Sequence, residues 1–228
     1  MKLLYSNILP LGTADDQQTI IDCFQEQLAK ADYVEIAVGY VSRASLEELD
    51  NLISDYSIKQ ICLNIGMYYI EGMPESSYHT AVKINKKWRA SRTGEIRIVR
   101  SFKYHGKLYC FYKDGVPFSA IIGSANLGVI KLEASNRRQY EISSLTTDPS
   151  ECKEISDFIQ KLKSPACSAN IEDISDMPLI FEKNTALSGI ELVAEVPPSN
   201  VEFYKRCSAY ASFLLPLKVP AYAERHMD

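Results

Sequence analysis

Apolar positions recur along the first two thirds of the chain with two different periods. Ile20, Ile21, Phe24 and Leu28 share one side of a 3.6-residue spiral, so residues 15–31 read as an amphipathic helix that Asp15 or Thr13 could cap. Tyr33 to Val41 is apolar and rich in β-branched residues, the pattern of a buried strand. Ser45 with Glu48 three residues on is a capping-box pattern and opens a helix through about Tyr56. Ile58 to Ile65 repeats the buried-strand pattern. Ser76 or Ser77 opens a helix to about Ala90, on which Trp88 packs inward and His79 reads as a surface or capping residue. Glu95 to Arg100 alternates as a short strand. Two apolar runs follow, 104–112 and 117–123, and Lys113-Asp114-Gly115 between them reads as a hairpin tip. Gln139 to Leu145 alternates again, and Asp148 or Ser150 caps a helix to about Lys163. Strands alternating with helices predict an α/β fold, a mixed β-sheet with helices on both faces.

Beyond Pro165 the texture changes. Pro178, Gly189, Pro197 and Pro198 stand among scattered apolar residues, which reads as a linker or wrapping arm. Val201–Tyr204 and Tyr210–Leu217 could be strands. The expected organisation is a domain over 1–165 and an extension over 166–228. No internal repeat is visible.

Composition changes this picture little. Hydrophobic residues are 46% and charged residues 24%, ordinary for a globular protein. No apolar run approaches the roughly 18–20 residues that span a bilayer. Met1-Lys2-Leu3-Leu4 starts like a signal sequence, but Ser6, Asn7 and Asp15-Asp16 interrupt it too early. The six cysteines, at 23, 62, 110, 152, 167 and 207, include no CxxC pair, and they read as reduced, buried thiols of a cytoplasmic protein. Net charge is −4, yet nine basic residues (Lys83, Lys86, Lys87, Arg89, Arg92, Arg97, Arg100, Lys103 and Lys107) stand against the single acid Glu95 between positions 83 and 107. A basic block of this kind suits a polyanionic ligand, although Lys83–Arg92 alone also fits a solvated helix face.

That block runs into the candidate chemistry. His105 and Lys107 are two apart on an expected strand and so share one face. A neutral imidazole beside an ammonium is a nucleophile next to an anion holder. The next apolar run ends in Gly123-Ser124-Ala125-Asn126, which adds a hydroxyl, an amide and close backbone approach. Together they suit a phosphoryl group. No Asp/Glu/His cluster has metal-ligand spacing. The Gly66–Pro74 loop follows the end of an expected strand, where α/β sheets often place ligands.

The pair His-x-Lys and Gly-Ser-x-Asn resembles the signature of the phospholipase D superfamily. By composition, both in this order within about 25 residues should occur by chance in roughly one chain per thousand. The length before His105, the Leu63-x-Ile65-Gly66-Met67 stretch and the C-terminal change of texture are most similar to the phospholipase D-type restriction endonucleases (the BfiI and NgoFVII type). The resemblance covers about residues 1–165. One position departs from it: the family usually has Asp five residues after the Lys, and here Tyr112 stands there, while nearby Asp114 belongs to the turn.

The resemblance implies a two-fold homodimer, since each centre needs two His-x-Lys motifs and the chain has one. It implies a metal-independent DNA endonuclease without a cofactor. His105 would form a phosphohistidine, the partner's His105 would serve as acid and base, and Lys107, Ser124 and Asn126 would hold the phosphoryl oxygens. Glu141 takes the place of the carboxylate that hydrogen-bonds the active-site His. Arg100, Lys103, Arg137, Arg138 and Lys87 are the expected DNA contacts. The implied partners are DNA, a second copy and a separate C-terminal recognition domain that residues 201–228 could begin, with no membrane. A nonspecific nuclease of the same superfamily, a phospholipid hydrolase and a catalytically silent DNA-binding dimer are the alternatives.

Overall fold

Short apolar runs at the middle of the chain become the central strands of a large sheet. The structure is a computed structural model that describes residues 1–131 and 139–181. In chain order the elements are β1 (Lys2–Tyr5), β2 (Gln18–Thr19), α1 (Ile20–Leu28), β3 (Tyr33–Val38), α2 (Arg43–Asp55), β4 (Gln60–Ile65), α3 (Tyr68–Glu71), β5 (Met73–Pro74), α4 (Glu75–Ala90), β6 (Gly94–Val99), β7 (Leu108–Lys113), β8 (Val116–Gly123), β9 (Ile142–Thr146), α5 (Pro149–Leu162), β10 (Ser168–Asn170) and β11 (Leu179–Ile180). Among the described residues, nine strands form one sheet in the order β10-β6-β4-β3-β7-β8-β9-β1-β2. β3, β4 and β6 are mutually parallel, whereas β7, β8 and β9 each run antiparallel to the strand before them in the sheet. The sheet is therefore mixed, as expected.

Alternation along β7 shows how both faces are covered. Tyr109 and Phe111 point to one side and meet Phe24 of α1 edge-on, in a cluster that also takes Leu46 and Leu49 of α2 and Trp88 of α4. Leu108, Cys110 and Tyr112 point to the other side and pack with Cys152, Ile159 and Leu162 of α5. Helices thus lie on both faces. Cys23, Cys62, Cys110 and Cys152 are buried free thiols, and burial pushes the Cys62 thiol up to about 12. Among the described residues, no helix is long and apolar enough to cross a membrane.

Several boundaries differ from the sequence expectation. α1 begins at Ile20, because Gln18–Thr19 pair with β1 and Thr19 Oγ accepts from the Asp22 amide. α2 begins one turn earlier than expected: Ser42 is the cap, and Ser45 closes the box on the Ser42 amide. α4 follows Pro74 without a side-chain cap, so neither Ser76 nor Ser77 has that role. The hairpin tip is as expected, with Asp114 at φ 51° and Gly115 at φ 78° forming a two-residue turn between β7 and β8.

β10, past Pro165, hydrogen-bonds along β6 with Ser168 opposite Val99, so residues read as linker join the main sheet. Met1–Ile180 form one compact unit, which runs past the expected boundary at 165. The strands expected at 201–204 and 210–217, like Cys207, lie outside the described residues.

Candidate active site

β3 ends where the antiparallel β7 begins, with Ala37 opposite Leu108. β8 returns along β7 and delivers Gly123 and Ser124 to the same end of the sheet. His105 and Lys107 lie just ahead of β7 rather than within it, since the strand starts only at Leu108. The preceding chain is pinned across β4, with the Tyr104 amide on the Gly66 carbonyl at 3.1 Å. A methyl on Gly66 would lie 2.0 Å from the Tyr104 carbonyl oxygen, so only glycine permits that crossing.

Gly39 is the floor beneath both halves of the signature. A Cβ there would lie 2.9 Å from His105 Cδ2 and 3.5 Å from Asn126 Oδ1. His105 is exposed, whereas Lys107 is only 6% exposed. The Lys107 ammonium donates to the His105 carbonyl at 2.6 Å and lies 3.0 Å from each ring nitrogen. Burial holds this ammonium below its ordinary pKa, and the Glu141 carboxylate works in the opposite direction. Asn126 Oδ1 accepts from the Tyr40 amide at 3.1 Å, which makes Nδ2 the side that can donate to a ligand oxygen.

Glu141 is in the site but not on the imidazole. Its carboxylate accepts from Ser124 Oγ, and its backbone is tied to Ser6 in both directions. The expectation that it hydrogen-bonds His105 is corrected here. The backbone pairing of Ser124 with Ile142 brings the hydroxyl directly to the neighbouring carboxylate.

The expected DNA contacts divide. Arg100 follows β6 and is exposed at the same end of the sheet as His105. Lys103 donates to Glu71 at 3.0 Å. Lys87 lies near the end of α4 that leads into the start of β6, away from the His105 end, and is paired with Asp50 of α2 at 2.8 Å. The expected DNA contact at Lys87 thus stands apart from the His105 end, because the helix runs antiparallel to β6 and carries its basic end away. Arg137 and Arg138 lie outside the described residues.

Two site residues escaped the sequence reading. Tyr40 meets the His105 ring edge-on at 5.7 Å, and its hydroxyl donates to the Glu71 carboxylate. Glu71 holds Lys103 with its other oxygen, and these two hydrogen bonds keep its carboxyl below the usual range. The available signals were Tyr40 following Gly39 at a strand end and Glu71 lying in the Gly66–Pro74 loop.

Tyr112, at the position where Asp is usual, serves elsewhere. Its hydroxyl donates to Glu35, which is fully buried in β3 and also accepts from Tyr33, Gln160 and Lys163, the last at 2.6 Å. Among the described residues, no three His, Cys, Asp or Glu side chains group as a metal site. The arrangement presents an accessible imidazole, a buried ammonium, an amide and a hydroxyl, which is equipment for holding and attacking an anionic phosphorus centre.

The sequence profile of the NgoFVII restriction endonuclease N-terminal PLD domain matches residues 18–176. No curated protein sequence matches the chain. Among solved structures, phosphatidylserine synthase of Haemophilus influenzae Rd KW20 is similar at 12% identity and a TM-score of 0.48, over 92% of this chain and 45% of that one. The chain thus spans less than half the length of that protein.

Proposed function

The chain belongs to the family of NgoFVII restriction endonuclease N-terminal PLD domains, and from that premise we propose that it is a metal-independent endonuclease acting on DNA in the cytoplasm. The observation that carries this reading is the convergence of His105 and Asn126 on Gly39, with the Lys107 ammonium held against His105. In the proposed reaction, the imidazole of one subunit's His105 attacks phosphorus. A nitrogen–phosphorus bond forms and the bond to the leaving oxygen breaks. That oxygen takes a proton from the imidazolium of the second copy's His105, which then takes a proton from the water that cleaves the phosphohistidine. Lys107, Asn126 and Ser124 hold the non-bridging oxygens as charge builds. Lysine ammonium supplies the electrostatics that a metal supplies elsewhere, so the chemistry needs none.

Each chain brings one imidazole, so the reading requires a two-fold dimer with one shared centre. Restriction specificity would come from a separate recognition domain. The departure at Tyr112 fits a site whose support has moved to other residues, and a dead DNA-binding dimer would not need the His105–Lys107 pairing that is retained.

Incubation with plasmid DNA in excess EDTA tests this reading, beside a His105→Ala variant and with the mass measured in solution. Cleavage by the wild type alone, from a dimer, is expected, with a covalent DNA adduct after a denaturing quench at alkaline pH, where a nitrogen–phosphorus bond survives. A monomer, or cleavage only with added magnesium, refutes the mechanism.

A further inference from the structure

At the rim of the site one carboxylate collects two donors from different parts of the chain. Glu71 Oε2 accepts from the Tyr40 hydroxyl and Oε1 accepts from Lys103 Nζ at 3.0 Å. Tyr40 is itself fixed from several sides. Its amide donates to Asn126, its ring lies edge-on to His105, and its other neighbour is the Tyr68 ring at 5.4 Å. The hydroxyl of Tyr40 is therefore a fixed donor beside the nucleophile, and Lys103 is an exposed one.

Two converging donors with an anionic oxygen between them are what a phosphate site requires. Here the anion is supplied by the protein. The pair is half open to solvent, with side chains 53% exposed for Lys103 and 34% for Glu71, and pairs this exposed are weak. A polyanion that brings its own oxygens competes with Glu71 for both donors and repels it.

We infer that Tyr40 and Lys103 form a second phosphate subsite, for a backbone phosphate flanking the scissile one, and that Glu71 occupies it in the free protein as an internal substitute. The inference builds on the nuclease reading and adds a device to it: DNA must displace Glu71 to seat fully.

Binding of a labelled duplex, followed by fluorescence anisotropy over a salt series, tests this with the full chain in a His105→Ala background that removes cleavage. Glu71→Gln should bind several-fold tighter than its parent, with a log–log salt slope steeper by about 1, as expected for one further phosphate contact. Adding Lys103→Ala should abolish that gain. Glu71→Ala, at the same exposed position, should reproduce the tighter binding. Equal or weaker binding by both Glu71 variants overturns the inference, as does a gain that survives loss of Lys103. Plasmid cleavage by the wild type distinguishes the cases. If cleavage persists while Glu71 variants gain nothing, only the subsite fails. If neither protein binds nor cuts DNA, both readings fail.

Discussion

Replacing Gly39 by alanine should cost activity far more than stability. The added Cβ would stand 2.9 Å from His105 Cδ2, 3.3 Å from Met67 Cγ and 3.5 Å from Asn126 Oδ1. Carbon atoms in good contact sit about 3.5–4.0 Å apart, so the imidazole must retreat by about 0.6–1 Å. His105 is exposed and can do so cheaply. Gly39 has no left-handed backbone to lose, and alanine reduces the entropy of the unfolded chain by roughly 0.4–1 kcal/mol, which offsets much of the crowding. The melting temperature should stay within about 4 °C of the wild type.

Catalysis is less tolerant. A misplacement of about 1 Å of a reacting group costs on the order of 100-fold, and half of that displacement about tenfold, or roughly 1.4–2.7 kcal/mol in the barrier. The assay is single-turnover plasmid cleavage beside thermal melting. Gly66→Ala is the contrast, because its Cβ would fall 2.0 Å from the Tyr104 carbonyl, which is backbone and cannot step aside. That variant should lose about 3 kcal/mol or more of stability. Cleavage by Gly39→Ala within about twofold of the wild type would refute the seating of His105 over Gly39 in the reacting state.

Glu141→Gln removes the negative charge that favours the Lys107 ammonium, so the pKa of Lys107 should fall further. The ammonium is then lost at lower pH, and the alkaline limb of a pH–cleavage profile should move towards acid; an unchanged limb would show that Lys107 is not the group that titrates there. Glu35→Ala leaves Lys163 and the Tyr33 and Tyr112 hydroxyls without their common acceptor, which should cost about 3–5 kcal/mol in urea unfolding while cleavage per folded molecule is retained. Gly115→Ala keeps open space around its Cβ but must hold φ near +78°, so about 1 kcal/mol of stability should be lost, read as a shift in urea midpoint.

The parts of the site legible in sequence were those set by local spacing. His105, Lys107, Ser124 and Asn126 are the two ends of one hairpin, and the Asp-Gly tip announces that hairpin without tertiary information. Glu141 was placed in the right neighbourhood, but the hydrogen bond it makes depends on how β9 pairs with Ser124, which no spacing encodes. Lys87 shows what spacing leaves out. A one-dimensional cluster of basic residues does not say which end of a helix comes near which end of a sheet. β1 was unreadable for a similar reason: four residues at the start of the chain become a strand only because β9, about 140 positions later, offers its edge. The donors around Glu35 were hidden by the same distance, since Gln160 and Lys163 approach it only when α5 packs down.

The hairpin has a consequence beyond its contribution to the fold. β7 and β8 behave as a pair of calipers, pivoted at Asp114-Gly115, with His105 and Lys107 on one jaw and Ser124 and Asn126 on the other. The jaws open about 20 Å from the pivot, at some 3.3 Å per residue over six residues of ladder. A residue added at the pivot would shift one jaw by a whole step relative to the other, and the bulge between Phe111 and Tyr112 already sets one such offset. Spacing errors made at the remote tip are thus transmitted undiminished to the four side chains of the candidate site, so the part of the hairpin farthest from that site is the part that gauges its width.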